Sequence, residues 1–303
     1  MMTSNKTAKT LLLIFQITAF MVFAGRAWQH LFWDAPYRTF FWDQGWMEGI
    51  VTSLSGLTWQ EYATSPITDA LIQGAIRLSG IFYALCAVLA LLIRPESRRW
   101  MGRVLLAGSL GLTFLAFLYM KEKYFHTGQF FEYSAQIASP VFLYLFVRRH
   151  LSYTTLFRWI CLVVAVTFVC HGLYAIGFYP RPGFFVDMVI NSLGVSENTA
   201  HELLRIAAIM DFIVAGLLIF PQSQRVALWY MVAWGLLTSM ARPVAQVGLD
   251  FFWTDLHRWF PEFVFRAPHY LLPFAALYIL RYKSSSPYQP GVDMQTPARS
   301  SVA

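Results

Sequence analysis

Long apolar runs, each about the length of a bilayer-spanning helix, constrain the fold of this chain more than any other feature. Hydrophobic residues make up 57% of its 303 positions and charged residues only 13%. The mean hydropathy of +0.49 is higher than a soluble domain shows. A spanning helix needs roughly 17–25 mostly apolar residues. We count about eight such runs, at residues 11–32, 67–93, 104–120, 134–147, 156–176, 203–220, 226–247 and 263–280.

The charged residues are distributed as in a membrane protein. The net charge is +7, and the basic residues cluster at alternate ends of the apolar runs, as in Arg94–Arg103 and Arg148–Arg149, whereas most acids lie in the opposite loops. The positive-inside rule places both termini in the cytoplasm. The sequence therefore predicts an all-α, multi-pass helix bundle in a bacterial-type cytoplasmic membrane. Its partner is the lipid bilayer, and the charge does not indicate nucleic acid.

A polar triplet occurs twice, 128 residues apart. Each triplet has an acid, a hydrogen-bonding residue four positions later and an arginine four positions after that. The triplets are Asp69, Gln73 and Arg77, and Glu197, His201 and Arg205. Offsets of four and eight place the three side chains on roughly one helix face. Because further matches follow in the same order, we predict two four-helix repeats, which are parallel since four spans return the chain to its starting side.

The repeats divide the chain at its basic middle segment. Residues 1–150 form the first repeat, with an outer amphipathic loop at 34–62, and residues 151–283 form the second. The loop mixes aromatic and acidic residues at helical spacing, which is typical of a segment lying in the membrane interface. It has two interpretations, an aromatic belt or a lid over an outer cavity. Residues 284–303 are rich in Ser and Pro and predict a disordered cytoplasmic tail.

Two short motifs resemble those of a known family. They are the stretch from Gly25 to His30 with the following Asp34-Ala35-Pro36-Tyr37-Arg38, and Arg77-x-x-Gly80 in the second span. Each half resembles the DoxX-like four-helix membrane family, and there is a looser similarity to HTTM domains. The resemblance implies a tandem duplication of that unit. Members of the grouping include subunits linked to quinone-dependent sulfur oxidation, which makes a quinone the molecule that the resemblance implies.

Charged and histidine residues inside the spans define a candidate site. Asp211 stands near the middle of the sixth run, where a charge costs about 2.5–3.5 kcal/mol on insertion scales and so faces protein or water. We expect a polar cavity in the outer half of the bundle. Its predicted catalytic residues are His171, Asp211 and Glu262, and its predicted ligand-binding residues are Arg26, His30, Arg77, Arg205, Arg242, Arg266 and His269. The alternative is a structural ion-pair lattice, with Asp211 beside Arg77 or Arg242.

Three functions are compatible with these residues. The first is an oxidoreductase-type subunit or enzyme that acts on a lipid-soluble substrate such as a quinone, whose polar head the arginines hold. The second is a transporter for a small anion or a lipid. The third is a non-catalytic accessory or scaffold subunit bound to another membrane protein. No metal site is predicted, and haem is disfavoured because no histidine pairs recur at fixed spacing along one four-helix core.

Overall fold

The computed structural model describes the backbone of residues 2–149 and 151–285 and the side chains of residues 7–149 and 151–282. All secondary structure in these ranges is helical. Six segments are long and apolar enough to cross a membrane: Thr7–Phe32, Pro66–Leu92, Arg99–Glu122, Thr127–Arg148, Tyr153–Ile176 and Phe252–Tyr282. The protein is therefore a polytopic helical bundle of the integral-membrane type. The predicted disordered tail lies outside the described residues from residue 286 onward.

The helices follow one another in two groups. The first group is α1 (Met2–Phe32), α2 (Arg38–Phe41), α3 (Gln44–Ser55), α4 (Trp59–Thr64), α5 (Pro66–Leu92), α6 (Arg99–Glu122), α7 (Thr127–Glu132) and α8 (Ser134–Arg148). The second group is α9 (Tyr153–Ile176), α10 (Gly183–Leu193), α11 (Glu197–Leu217), α12 (Gln224–Gln246), α13 (Phe252–Phe265) and α14 (Pro268–Ser285).

The predicted spans correspond to helices, with two differences. The runs at 203–220 and 226–247 form α11 and α12, which are 21 and 23 residues long. They are not among the six apolar spans. Helix α11 carries four charged residues, and α12 is less hydrophobic than the six spans, in part because of Arg242. That they also cross the membrane stays a prediction. The loop predicted at 34–62 is mostly helical, since α2, α3 and part of α4 lie within it.

The long helices alternate in direction, so the bundle has two chemically different ends. The basic end carries Arg94–Arg103 and Arg148–Arg149, where α5 and α8 end and α6 begins. The acidic end carries α2–α4, α10 and the starts of α7 and α13. Lipid tails are as apolar as the core, so helices in a membrane associate mainly through close packing and hydrogen bonds.

The first long helix of each group has similar neighbours. Helix α1 packs against α5, α8, α13 and α14, and α9 packs against α11, α14, α7 and α8. The short helices α7 and α13 each lie against the first long helix of the other group. Gly25 permits the α1–α13 contact, because a Cβ atom there would lie 2.7 Å from the backbone nitrogen of Phe265.

The amphipathic helices α3 and α10 cover the acidic end of the two groups and are attached differently. Asp43 caps α3 by accepting a hydrogen bond from the Trp46 backbone nitrogen, and it also accepts one from the Lys121 ammonium of α6 at 2.5 Å. Helix α10 ends at Gly194 in the left-handed region, φ 65°. Its Asn191 amide donates to the carbonyl of Ala245 in α12 at 3.0 Å. Each helix is thus tied to the third long helix of its own group.

Candidate functional site

A cavity of about 420 Å³ lies between α9, α10, α11, α12 and α14. Most of its wall is apolar, and α10 supplies Met188, Val189 and Leu193 toward the acidic end. The volume is within the range of small-molecule sites, roughly 300–1,000 Å³. The cavity is therefore large enough for the head group of a membrane-soluble molecule or a comparable solute.

The cavity opens sideways between α11 and α12. Ile206 of α11 and Leu237 of α12 both line it, yet they are 58% and 57% exposed on the outer surface of the bundle. Leu203, 36% exposed, extends the same margin. This margin of the cavity is therefore formed by exposed, apolar side chains of α11 and α12.

Four polar side chains line one end of the cavity: His171, Arg242, Arg266 and His269. Two glutamates that do not line it stand behind them, Glu132 on α7 and Glu262 on α13. The two arginines are 9% and 8% exposed, so the cluster lies inside the bundle. With neutral imidazoles, two guanidinium groups face two carboxylates, and the formal charge of the cluster is zero.

The ion pairs in this cluster are loose. Arg242 Nη1 lies 3.3 Å from Glu262 Oε2, and Arg266 Nη1 lies 3.7 Å from Glu132 Oε1. The Nε atom of Arg266 lies 3.9 Å from Glu262 and has no hydrogen-bond acceptor among the described residues. Hydrogen bonds between N–H groups and carboxylates are normally 2.7–2.9 Å long. Arg266 therefore retains one buried donor, its Nε–H group, without an acceptor among the described residues.

The two histidines form a directed hydrogen bond. His269 Nδ1 lies 2.9 Å from the Arg266 carbonyl oxygen, which can only accept, so Nδ1 of His269 is the donor. In a neutral ring the Nε2 atom of His269 is then bare and accepts from Nε2 of His171 at 3.2 Å. The same His171 atom lies 3.6 Å from Glu132 Oε1. Both ring tautomers are thus fixed by their neighbours.

Asp211 lines the same cavity from α11. Its side chain is 4% exposed, its carboxyl is hydrogen-bonded by the Trp234 side chain, and its Oδ1 atom has no partner among the described residues. The prediction that Asp211 pairs with Arg77 or Arg242 is wrong, because Arg242 instead pairs with Glu262 and Arg77 is exposed. Asp211 is therefore a buried acid with one oxygen free to accept or donate a hydrogen bond in the cavity.

Close helix contact places the polar residues at the cavity. A Cβ atom on Gly235 of α12 would overlap the backbone carbonyl of His269, so only glycine lets α12 and α14 approach this closely. Glu262 and Arg266 precede His269 by seven and three residues at the α13–α14 junction, offsets that fall on one helical side. The junction therefore directs the three side chains into the same region.

The remaining predicted site residues lie elsewhere. Arg26 is 0% exposed and donates to Gln136 Oε1 from Nη2 at 2.7 Å and to Gln29 Oε1 at 2.8 Å. Its guanidinium lies 3.7 Å from the centre of the Phe265 ring. His30 is also fully buried and donates from Nδ1 to the Arg26 carbonyl at 2.7 Å. These two residues form a packed cluster in the first group and do not line the cavity.

The structure also places Arg77 and Arg205 outside the cavity. Both side chains are exposed, neither lines the cavity, and Arg205 pairs with the exposed Glu202 of its own helix. Equal helical offsets place the residues of each triplet on one face, but they do not determine whether that face is turned inward. The expectation that both arginines belong to a shared polar cavity is therefore wrong.

Sequence reasoning missed Glu132, Trp234 and Tyr230. Glu132 pairs with both His171 and Arg266, whereas the other two line the cavity beside Asp211. Glu132 could have been found, because it starts the last span of its half as Glu262 starts the other. Trp234 and Tyr230 have no comparable match in the other half of the sequence that would have pointed to them. Among the described residues no group of three or more His, Cys, Asp or Glu side chains is arranged to hold a metal ion.

Comparison with known proteins gives no relative from which to transfer a function. No protein-family description matches the chain, and no curated protein or solved structure matches it significantly. The site must be interpreted from its own geometry.

Proposed function

We propose that this chain is a multi-pass protein of a bacterial-type cytoplasmic membrane that binds a lipid-soluble, carbonyl-bearing molecule of the quinone type in the cavity, as an oxidoreductase-type enzyme or subunit. One observation carries the proposal: an apolar cavity, open sideways between α11 and α12, ends at two buried arginines and two histidines. A molecule with an apolar tail and a hydrogen-bond-accepting head matches both parts of this cavity.

The charge balance favours a neutral carbonyl head over an anion. Glu132 and Glu262 already offset the charges of Arg242 and Arg266. A quinone carbonyl needs donors but no net positive charge, and Arg266 Nε is a buried donor without an acceptor among the described residues. The same balance counts against transport of a small anion.

The histidines suit proton exchange with such a head. Neutral His171 carries its one ring proton on Nε2 and donates it to Nε2 of His269, whose own proton on Nδ1 is donated to the Arg266 carbonyl. A further proton taken up on the bare Nδ1 atom of His171 makes the pair a single cation, in which the proton between the two Nε2 atoms can move from one ring to the other. We assign His171 and His269 the handling of a proton at the bound head group, and we assign Arg242 and Arg266 its orientation.

The parallel duplication and the DoxX-like resemblance belong to the same proposal. The support for the duplication is that α1 and α9 have equivalent neighbours, and that α7 and α13 each lie against the first long helix of the other group. Under this proposal α11 and α12 are the sixth and seventh spans, and both termini are cytoplasmic. Fusion of reporters active only on one side of the membrane, placed after α11 and after α14, tests this topology.

Ligand extraction tests the binding proposal directly. Purified protein is extracted with organic solvent and the extract is analysed for quinones by mass spectrometry, and delipidated protein is titrated with a decyl-substituted benzoquinone. Arg266→Lys keeps the positive charge but removes the planar guanidinium group. We expect the affinity for the benzoquinone to fall about tenfold, which corresponds to one lost hydrogen bond. Arg77→Lys, at an exposed position outside the cavity, is the matched control. Equal affinities in the two variants, or no quinone binding by the wild type, would contradict the proposal.

Proton-coupled transport is a second candidate, because one oxygen of Asp211 is buried in a helix of membrane length and has no partner in the described part of the chain. Proteoliposomes containing a pH-sensitive dye would report proton movement under an imposed gradient. We expect Asp211→Asn to abolish such movement. Proton movement at the wild-type rate in Asp211→Asn would rule out proton-coupled transport through this residue.

A further inference from the structure

A second pocket, of about 490 Å³, lies at the basic end, opposite to the ligand cavity. It lies between the start of α6 and the end of α8. Four arginines line it together with Pro95, Tyr144 and Val147, and they are Arg99, Arg103, Arg148 and Arg149. None of the described residues that line it is acidic. None of Arg99, Arg103 and Arg149 has an ion pair within residues 7–149 and 151–282.

One arginine makes the pocket rigid. Arg148 donates from Nη1 to the Pro95 carbonyl at 3.0 Å and from Nη2 to the carbonyls of Ser97 and Arg98 at 2.5 and 2.9 Å. Its Nε atom is buried and has no acceptor in the described part of the chain. Arg148 thus fixes the α5–α6 turn and leaves one donor unsatisfied inside the structure.

Helix α6 adds its own positive end to this pocket. The helix begins at Arg99, and its N-cap residue Arg98 makes no side-chain capping bond. The partial positive charge at a helix N-terminus disfavours nearby cations and favours anions. Arginines at 99 and 103 are therefore unfavourable for the isolated helix. A bound oxyanion would offset both this cost and the repulsion among the four guanidinium groups.

We propose that this pocket binds the phosphate group of an anionic phospholipid. Phosphate oxygens match the guanidinium fork in bidentate hydrogen bonds. The pocket lies where spanning helices end, beside Trp100, which is 49% exposed, and Tyr144. Aromatic side chains of this kind mark the head-group level of a membrane. Basic pockets between helices at that level bind anionic lipid head groups. The inference is independent of the quinone-type cavity, since the two sites share no residue.

Native mass spectrometry of delipidated protein tests the site. The probes are phosphatidylglycerol, phosphatidylcholine and inorganic phosphate, each added to the wild type and to a variant with Arg99→Gln and Arg103→Gln. The double substitution removes cations from a helix N-terminus, so it does not weaken α6. Each arginine near a membrane surface contributes about fivefold in affinity, which predicts a loss of about 25-fold for phosphatidylglycerol. Arg158→Gln, an exposed arginine of α9 outside the pocket, is the control.

The three probes distinguish a phospholipid head group from free inorganic phosphate as the bound group. Tighter binding of phosphatidylglycerol than of phosphatidylcholine, lost in the double variant and kept in the control, supports the lipid. Displacement of that lipid by millimolar inorganic phosphate, with direct phosphate binding, would show that the pocket binds a free phosphate and would overturn the lipid source. Equal binding of phosphatidylglycerol by the wild type and the double variant would overturn the site itself.

Discussion

The two groups of helices bury polar clusters at the same end of the bundle, but they satisfy them to different degrees. In the first group Arg26 is fully buried, hydrogen-bonded to Gln136 and Gln29, and stacked on Phe265. In the second group Arg242 and Arg266 are paired only at 3.3–3.9 Å and face a cavity. A buried guanidinium with short hydrogen bonds stabilises and rigidifies a structure, whereas loosely paired guanidinium groups beside a cavity are available to a ligand. The contrast is between the guanidinium groups, since Nε2 of His30 in the first cluster has no partner among the described residues. We therefore assign a structural role to the first cluster and a ligand-binding role to the second.

Side-chain volume accounts for the difference between the packed core beside Tyr83 in the first group and the cavity beside Asp211 in the second. Tyr83 precedes Asp211 by 128 residues, the separation that also joins Arg77 to Arg205. Tyr83 is 1% exposed, and its ring lies against Phe23 and His30 with centroids 6.0 and 5.2 Å apart. Asp211 is smaller and leaves open space beside Tyr230 and Trp234. Under the proposed duplication the two residues occupy equivalent positions, an aromatic ring in a filled core and a carboxyl group beside an open one.

The largest expected effect comes from placing the carboxyl group in the filled core. Tyr83→Asp removes a buried ring and buries an acid without a prepared partner, which costs about 4 kcal/mol or more. In detergent we expect the unfolding temperature to fall by roughly 10 °C. Tyr83→Phe, which loses only the hydroxyl group, should cost about 1 kcal/mol. Equal melting temperatures for the two variants would mean that the first core is not tightly packed.

A second substitution tests the close contact that shapes the cavity. Gly235→Ala places a methyl group against the carbonyl of His269, and overpacking of this kind costs about 1–3 kcal/mol. The shift of α14 also moves Arg266 and His269, so ligand affinity should fall with stability. Gly49→Ala in α3 meets no atom within 4 Å and is the control, with a gain of about 0.5–1 kcal/mol from helix propensity. Unchanged melting of Gly235→Ala would contradict the α12–α14 geometry.

The smallest expected effect concerns the helix that covers the first group. The hydrogen bond from Lys121 lowers the pKa of the Asp43 carboxyl below its ordinary value. The contribution of this group is therefore present above the ordinary carboxyl pKa of about 4 and is lost as the pH falls through the lower folded-state pKa. Asp43→Asn should increase amide exchange in α3 at neutral pH, and the difference from the wild type should vanish in strong acid. A difference that persists there would mean that the charge of Asp43 does not hold α3.

The fold was largely predictable because spanning helices follow from hydrophobic length. The run at 156–176 corresponds to α9, which starts only three residues earlier and ends at the same residue. The run at 134–147 begins at the first residue of α8. The start of the last span was harder to predict, because the run at 263–280 begins inside α13 and the chain turns at Arg266 before α14 begins. Such turns depend on contacts with α1 and α9, which a single segment does not specify.

The site was only partly predictable, for a different physical reason. His171, Asp211, Arg242, Arg266 and His269 were expected at one cavity and do line it, and Glu262 stands directly behind them. Their cost in an apolar span made them identifiable. The same argument wrongly included Arg77, which lies well inside the 27-residue helix α5 but on its exposed face. Periodicity relates residues within one helix, whereas burial depends on which neighbours that helix meets.

The central claim, that the open core binds a ligand because Asp211 leaves space there, is tested most directly by filling that space. Quinone retained through purification, and binding of the decyl-substituted benzoquinone, should be measured for the wild type, Asp211→Asn and Asp211→Tyr. The account predicts that Asp211→Tyr melts at or near the wild-type temperature yet loses binding by more than tenfold, because its ring occupies the cavity as Tyr83 occupies the first core. Asp211→Asn should still bind. Undiminished binding by a folded Asp211→Tyr protein would contradict the assignment of this cavity.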